Sequence, residues 1–206
     1  MWWLLVPLGY LAGSIQWGLI VVRLSRRVDV RTLGSGKTGV TNVLRIAGKK
    51  AAVSVLLLDA AKGLVMVLIA RAVTAEAGIH AGTAAAVIVG HVWPVFAGFR
   101  GGRGIATGMG VTFGLFPLAG IAGIVVFIPL VAWTRYVSLG SVSAVAAVVA
   151  VFGAAVAMSS LPLSYLAFAV VCGGLVLWMH RDNIARLLNG TERRIGEPAA
   201  HLQSAP

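Results

Sequence analysis

The chain has 206 residues, of which 59% are hydrophobic and only 11% are charged, with a mean hydropathy of +0.94. Soluble domains carry about 25% charged residues, so this composition excludes an ordinary soluble protein and indicates an all-α, polytopic integral membrane protein. The 17 Lys and Arg outnumber six Asp and Glu, for a net charge of +11. That excess would suggest nucleic-acid binding in a soluble chain, but in a membrane protein we expect it to set topology, with no nucleic-acid partner.

Seven apolar spans are predicted, since a helix needs roughly 20 apolar residues to cross a bilayer. The first residues carry no basic side chain of the kind that begins a signal peptide, so the first span is interpreted as retained. Residues 105–133 carry no charge and would form a helix of about 43 Å, which is too long, so a break is predicted at Pro117. In chain order, the spans are residues 2–22, 52–70, 80–96, 105–116, 118–133, 139–157 and 163–179.

The basic residues predict the orientation of these spans. With seven spans and the N-terminus outside, 15 of the 17 Lys and Arg fall on the inner side, as the positive-inside rule requires. Six spans would place the Arg-rich tail and the basic loop after the first span on opposite sides. We therefore predict one membrane domain over residues 1–206 with a cytoplasmic C-terminus, and a flexible tail at residues 196–206.

The first inner segment contains "GSGKTGVTN", residues 34–42, which resembles the end of a nucleotide-binding loop. The full loop needs a glycine where the chain has Arg31, and no buried strand precedes it, which argues against a nucleotide site. Its glycines still permit successive N–H groups to turn toward an anion, whereas the alternative is a flexible linker with a helix cap. The pattern leaves the role of Lys37 open. The candidate anion ligands of this segment are Gly34, Ser35, Gly36, Gly39, Thr41, Asn42 and Arg45.

The second inner segment, "GHVWPVFAGFRGGRGIATGMG", places arginines around a glycine pair. Glycine lets the backbone approach a ligand closely, and a guanidinium can bind phosphate through two hydrogen bonds. The alternatives are a topological charge with a helix contact through Gly104, Gly108 and Gly110, and a structural role for the histidine. The candidate substrate ligands are His91, Gly101, Gly102 and Arg103.

The third and fourth inner segments each offer a pair of polar residues three positions apart. Ser138 and Ser141 begin the sixth span, where a helix N-terminus favours anions; simple N-capping is the alternative. His180 and Asn183 follow the seventh span and share one helix face, where they could orient a substrate hydroxyl or phosphate. The alternative for this pair is an amphipathic interfacial helix. Because all four segments lie on one side, we expect them to converge on a single pocket.

Other reactive side chains indicate structure rather than chemistry. Asp59 and Lys62 lie three positions apart within the second span. The favoured interpretation is that they form an ion pair with each other, and the alternative is that they act in the substrate site. Cys172 lies in an apolar run and is interpreted as a small buried hydrophobe. No Cys, His and carboxylate cluster has metal-ligand spacing, and no Ser–His–Asp set is evident, so neither a metal nor a protein nucleophile is predicted.

Six motifs in this order resemble the bacterial acyl-phosphate:glycerol-3-phosphate acyltransferases. They are "GSIQWG", "GSGKTGVTN", "LLLDAAKG", "GHVWPVF…FRGGRGIATG", "YVSLGS" and "HRDNIARLLNGTERRIG", which span residues 13 to 196. The resemblance implies a seven-span inner-membrane enzyme with a cytoplasmic active site. Such enzymes transfer a fatty acyl group from acyl phosphate to the 1-hydroxyl of glycerol 3-phosphate, giving lysophosphatidic acid and phosphate. The resemblance implies no cofactor, and as partners it implies the two substrates, membrane lipids and a peripheral enzyme that produces acyl phosphate.

The resemblance also implies roles by position. Residues 35–42 would hold a phosphate, and the glycerol-phosphate anion would bind Arg45 and Arg103 with help from Ser141. The residues expected to act in catalysis are Ser35, Arg45, Arg103, His180 and Asn183. Acyl phosphate is already activated, so the lack of a protein nucleophile fits this reaction.

Three positions depart from the family pattern. Lys37 stands where the family usually has Asn, Arg103 where it has Lys, and Gln16 where it has Pro. The first two keep or add positive charge, so anion binding should survive. The alternative function is a transporter or flippase for a phosphorylated small molecule, which should show paired broken helices near the midplane.

Overall fold

The computed structural model describes residues 1–197, which form a bundle of α-helices joined by short connections. The predicted all-α class is confirmed, while the tail predicted from residue 196 lies, beyond residue 197, outside the described residues. The helices are α1 (Leu5–Gly13), α2 (Trp17–Arg26), α3 (Val40–Val73), α4 (Ala77–Val92), α5 (Ile105–Leu115), α6 (Pro117–Thr134), α7 (Val137–Ala157), α8 (Leu163–Met179) and α9 (Arg181–Leu188).

Seven helical units follow the order of the predicted spans, with α1 and α2 together forming the first. Within residues 1–197, five helical stretches are long and apolar enough to cross a membrane, and a sixth is reached if α8 and α9, bent by 60°, form one span. Helix α5 has 11 residues and a length of about 16 Å, against about 30 Å of hydrocarbon. A count of seven spans and the orientation of the termini therefore remain predictions.

Two helical breaks lie near the end of the bundle where the inner segments meet. Gly48 interrupts α3 with φ +84° and ψ −177°, a backbone conformation that glycine adopts without a steric penalty. This break separates the predicted second span from the helical turns before it. The other break separates α1 from α2, and Lys62 Nζ donates to the Ile15 carbonyl there at 2.7 Å. A carbonyl released from a helix thereby receives a partner within the protein.

Small residues allow the helices to pack closely. A Cβ atom on Gly110 of α5 would overlap the Ala60 carbonyl of α3, and one on Gly13 of α1 would overlap the Val87 carbonyl of α4. Close backbone approach of this kind is a common basis of helix association in lipid. Gly110 therefore serves a contact between helices, which is the alternative interpretation that the sequence left open for this glycine. Fully buried Phe152 of α7 packs in the core with side chains of α4, α5 and α8.

Candidate active site

The connecting segments meet around a cavity of about 470 Å³ at one end of the bundle. Its walls come from all four inner segments, so the predicted convergence on one pocket is confirmed. We call this cavity the cup. The predicted site residues that line it are Gly34, Ser35, Gly39, Thr41, Asn42, Arg45, His91, Arg103, Ser138, Ser141, His180 and Asn183.

Three predicted substrate ligands do not line the cup. Gly36 turns the first loop with φ +67°. Gly101 and Gly102 pack on α4, where a Cβ on Gly101 would overlap the His91 carbonyl and one on Gly102 would overlap His91 Nε2. The small size of this glycine pair therefore lets the loop before Arg103 lie against His91, rather than admitting a ligand. Gly36, Gly101 and Gly102 therefore lie outside the lining of the cup, and their contact with substrate stays a prediction.

Asn42 holds the first loop in shape through all of its amide atoms. Its Oδ1 accepts from the Ser35 N–H at 3.0 Å, and its Nδ2 lies 3.1, 3.1 and 2.9 Å from the carbonyl oxygens of Val30, Leu33 and Lys37. Direct substrate binding was predicted for this residue. Its amide atoms bond to the loop backbone, so Asn42 positions the exposed Ser35 at the rim of the cup, and its own contact with substrate stays a prediction.

The first and second inner segments are tied together by side chains that sequence reasoning did not connect. Thr38 Oγ1 donates to Gln16 Oε1 at 2.6 Å, and Gln16 Nε2 donates to the His91 carbonyl at 3.2 Å. Arg31 Nη1 also reaches the Ala97 carbonyl at 2.7 Å. The departure from proline at position 16 thus provides an amide that bridges two walls of the cup.

Glu192 organises the opposite wall and was missed by sequence reasoning. Its Oε1 accepts from Ser138 Oγ and Asn183 Nδ2, and its Oε2 from Arg186 Nε, each at 2.7 Å. Burial by itself would raise the pKa of Glu192, but the hydrogen bonds from Asn183, Ser138 and Arg186 lower it below its ordinary value. The only signal in the sequence was a single carboxylate among the arginines of "NGTERRIG".

Three half-buried cations of the cup have no such carboxylate. Within residues 1–197, no Asp or Glu lies within 4 Å of the charged groups of Lys37, Arg45 or Arg103, and the buried Arg103 Nε has no hydrogen-bond partner. Burial lowers the pKa of Arg103, helped by the nearby Arg186, but a guanidinium stays charged near neutral pH. The cup is therefore suited to bind anions.

A buried ion cluster lies beneath the cup. Lys62 Nζ lies 2.8 Å from Asp59 Oδ1 and 3.0 Å from His91 Nδ1, and all three residues are buried. The predicted pairing of Asp59 with Lys62 is confirmed. Both Asp59 and His91 also reach the lining of the cup.

His180 and Ser141 contribute polar atoms with defined roles. His180 Nδ1 lies 2.8 Å from the Val176 carbonyl. A carbonyl can only accept, so Nδ1 carries the hydrogen and Nε2 of the neutral ring is an acceptor. Ser141 Oγ donates to the Val137 carbonyl at 2.8 Å, which leaves its oxygen lone pairs to accept. Asn183 Oδ1 is buried with no hydrogen-bond partner among the described residues.

A second cavity, of about 400 Å³, continues from the cup between α5, α6, α7 and α8. Its lining is almost entirely apolar, and we call it the apolar groove. Gly104 and Gly108 line it, whereas Gly110 is at the contact with α3. The six residues that line both cavities are Leu56, Gly104, Ile105, Ala106, Phe127 and Ser141. The site thus joins a cationic compartment to an apolar one. Within residues 1–197, no three His, Cys, Asp or Glu side chains are arranged to hold a metal ion.

Comparison with known proteins gives consistent matches over nearly the whole chain. The model of the glycerol-3-phosphate acyltransferase family matches residues 3–190. A glycerol-3-phosphate acyltransferase of Rubrobacter xylanophilus is 46% identical over 193 residues, which cover 94% of each chain. One of Halalkalibacterium halodurans is 41% identical over 196 residues, 94% of this chain and 95% of that one.

Two crystal structures share this fold. Both are of PlsY (YgiH), an integral membrane glycerol 3-phosphate acyltransferase. The glycerol 3-phosphate form aligns with a TM-score of 0.87 at 37% identity, covering 98% of both chains. The lysophosphatidic acid form aligns with a TM-score of 0.84 at 36% identity, covering 94% of both chains.

Proposed function

The chain belongs to the glycerol-3-phosphate acyltransferase family and is an integral membrane acyltransferase for glycerol 3-phosphate, and on that premise we propose that its acyl donor is a fatty acyl phosphate. The single observation that carries the proposal is the cup opening into the apolar groove. A donor with a phosphate head and a fatty tail would match both compartments at once.

The charge of the cup supports two phosphate substrates. Lys37, Arg45 and Arg103 would neutralise two anions that otherwise repel each other. Arg45 and Arg103 bind the phosphate of glycerol 3-phosphate, with Ser141 beside it, and the backbone N–H groups of the Gly34–Gly39 loop hold a phosphate at the rim. The acyl chain lies in the groove against Gly104 and Gly108.

The reaction then requires positioning more than reactive side chains. The 1-hydroxyl oxygen of glycerol 3-phosphate forms an ester bond with the acyl carbon, and the bond from that carbon to the phosphate oxygen breaks. The departing phosphate takes the bonding electrons, and the cations of the cup stabilise the charge that develops. The products are lysophosphatidic acid and inorganic phosphate.

The hydroxyl proton has two candidate acceptors. One is a phosphate oxygen of a substrate, whose second pKa lies near neutrality. The other is His180 Nε2, the acceptor atom left by the hydrogen bond of Nδ1 to Val176. Asn183 Oδ1, which is buried and has no partner in residues 1–197, would accept from the hydroxyl as it is oriented.

The same reasoning extends to location and partners. We place the protein in the bacterial inner membrane with the cup on the cytoplasmic side, because the basic segments surround the cup and cytoplasmic loops are enriched in Lys and Arg. The apolar groove would exchange acyl chains with membrane lipid. A peripheral enzyme that makes acyl phosphate would supply the donor.

Donor competition in detergent tests this proposal. Purified protein given labelled glycerol 3-phosphate and a fatty acyl phosphate should form labelled lysophosphatidic acid, with phosphate released in equal amount. Parallel reactions would replace the donor with an acyl thioester of coenzyme A or of acyl carrier protein. Product from a thioester but not from acyl phosphate would overturn the proposed donor while leaving the acyltransferase assignment intact.

A further inference from the structure

Lys37 is a cation of the cup whose backbone is held by hydrogen bonds at its own carbonyl and at the next residue. Its carbonyl oxygen accepts from Asn42 Nδ2 at 2.9 Å, and the next residue, Thr38, is buried and donates to Gln16 Oε1 at 2.6 Å. The side chain of Lys37 is half-buried and lines the cup. The loop therefore presents a positive charge at a defined position in the wall.

In the described part of the chain, Lys37, like Arg45 and Arg103, lacks the carboxylate partner that two other cations of the chain have. Lys62 has Asp59 at 2.8 Å, and Arg186 has Glu192 at 2.7 Å. Among residues 1–197, no carboxylate oxygen lies within 4 Å of Lys37 Nζ. A half-buried ammonium without a counterion is destabilising unless a ligand supplies the negative charge.

Two of the charged neighbours of Lys37, Arg103 and Asp182, line the cup. Its main charged neighbours are Arg103, Arg181 and Arg100, with Asp182 as the only carboxylate among them. Burial lowers the pKa of Lys37, and repulsion from Arg103 lowers it further. An anion bound between Lys37 and Arg103 would relieve that repulsion.

Arg45 belongs to a different group of charges. The charged groups that shift the pKa of Arg45 most strongly are Arg193, Glu192 and Arg186. None of them is among the main charged neighbours of Lys37. Arg103 lies between the two groups, since both Lys37 and Arg45 interact with it. The cup therefore contains two cationic poles, one with Lys37 and one with Arg45, and both interact with Arg103, which suits two phosphate ligands.

The position of the apolar groove indicates which pole binds the phosphate of the acyl donor and which binds glycerol 3-phosphate. Six residues line both the groove and the cup. Three of them, residues 104–106, directly follow Arg103, and the others are Leu56, Phe127 and Ser141. A donor whose tail fills the groove would have its phosphoryl group beside Arg103. We propose that Lys37 binds the phosphoryl group of the acyl donor, while Arg45 and Arg103 hold glycerol 3-phosphate beside it. This assignment rests on the proposed donor.

Steady-state kinetics of Lys37→Gln test the assignment. We expect KM for acyl phosphate to rise about tenfold, with KM for glycerol 3-phosphate changed less than about twofold, because one charge-assisted contact to the donor is lost. Lys37→Arg should recover most of the loss, because it keeps the charge. Lys49→Gln is the matched control, since Lys49 is an exposed lysine of α3 outside the cup and its removal changes the net charge equally.

Binding of dodecyl phosphate separates this assignment from the choice of donor, because this analogue has a phosphate head and an alkyl tail but no reactive carbonyl. Its dissociation constant, measured by calorimetry, should rise about tenfold in Lys37→Gln and stay unchanged in Lys49→Gln. Unchanged binding, or a rise confined to KM for glycerol 3-phosphate, would overturn the role of Lys37. Wild-type protein that binds dodecyl phosphate but does not use acyl phosphate would overturn the proposed donor alone.

Discussion

The ion cluster beneath the cup and the cup itself differ in whether their charged side chains have partners of opposite charge. In the cluster, Asp59, Lys62 and His91 contact one another at 2.8 to 3.6 Å and are almost wholly shielded. In the cup, Lys37 and Arg103 have no carboxylate within 4 Å among residues 1–197. The two regions are adjacent, and His91 belongs to both.

This difference separates charges that hold the fold from charges that await a ligand. A buried charge without a partner costs several kcal/mol, so a chain keeps one only where a ligand completes it. Loss of a charge from the cluster should therefore lower stability, and loss of a charge from the cup should lower activity.

Breaking the cluster should give the largest effect. Lys62→Met leaves the carboxylate of Asp59 buried and uncompensated, so the free energy of unfolding should fall by about 3–5 kcal/mol. Adding Asp59→Asn should restore part of that loss, because the uncompensated charge is removed. Thermal unfolding in detergent measures both changes. If Lys62→Met were as stable as wild type, the proposed difference between the cluster and the cup would be wrong.

Removing a cation from the cup should have the opposite signature. Arg103→Ala should lower kcat/KM between about 100-fold and 1000-fold, with glycerol-3-phosphate use most affected, since a charge aimed at the reacting anions is lost. Its unfolding temperature should stay close to that of wild type. Arg26→Ala, at an exposed arginine of α2 outside the cup, is the control. Wild-type kinetics in Arg103→Ala would exclude Arg103 from the site.

Two hydroxyls of the first loop sharpen the comparison. Ser35→Ala should lower turnover about 30-fold, because Ser35 lines the cup at its rim. Thr38→Ala should lower turnover less than about threefold but reduce stability by about 1 kcal/mol, because it leaves Gln16 Oε1 without its donor. Equal losses of turnover would mean that the hydroxyls have been assigned wrongly. Turnover assays and thermal unfolding curves of both variants measure the two effects.

The smallest expected effect is a dependence of stability on pH at Glu192. The pKa of Glu192 is lowered below its ordinary 4.5, so its contribution is fully present above that value and is lost as the pH falls through the lowered pKa. The difference in unfolding temperature between wild type and Glu192→Gln should be constant above about pH 5 and shrink below it. Unfolding curves from pH 4 to pH 7 check this, and a difference that grows toward acid would contradict it.

Much of the site could be predicted because its signals are local. Hydropathy located the helical units in order, and the excess of Lys and Arg grouped four polar segments on one side. Since segments on one side of a small bundle lie close together, Ser35, Arg103 and Asn183 were expected in one pocket and do line one cup. The i, i+3 spacing of Asp59 and Lys62 likewise predicted their contact.

The contacts that shape the cup could not be predicted in this way. Gln16 bridges Thr38 and His91 across 22 and 75 positions of sequence, and Glu192 reaches Ser138 across 54. Such hydrogen bonds depend on distance and angle within a few tenths of an ångström, and no periodic pattern records them.

The sequence by itself determined that the protein lies in a membrane as packed helices, and which polar segments share an end, because burial in lipid and loop charge depend on composition and order. Only the tertiary structure decided which polar atoms are already occupied, as in Asn42, and which await a ligand, as in Arg103. The physical reason is that a hydrogen bond or an ion pair exists only where folding brings two distant groups into contact.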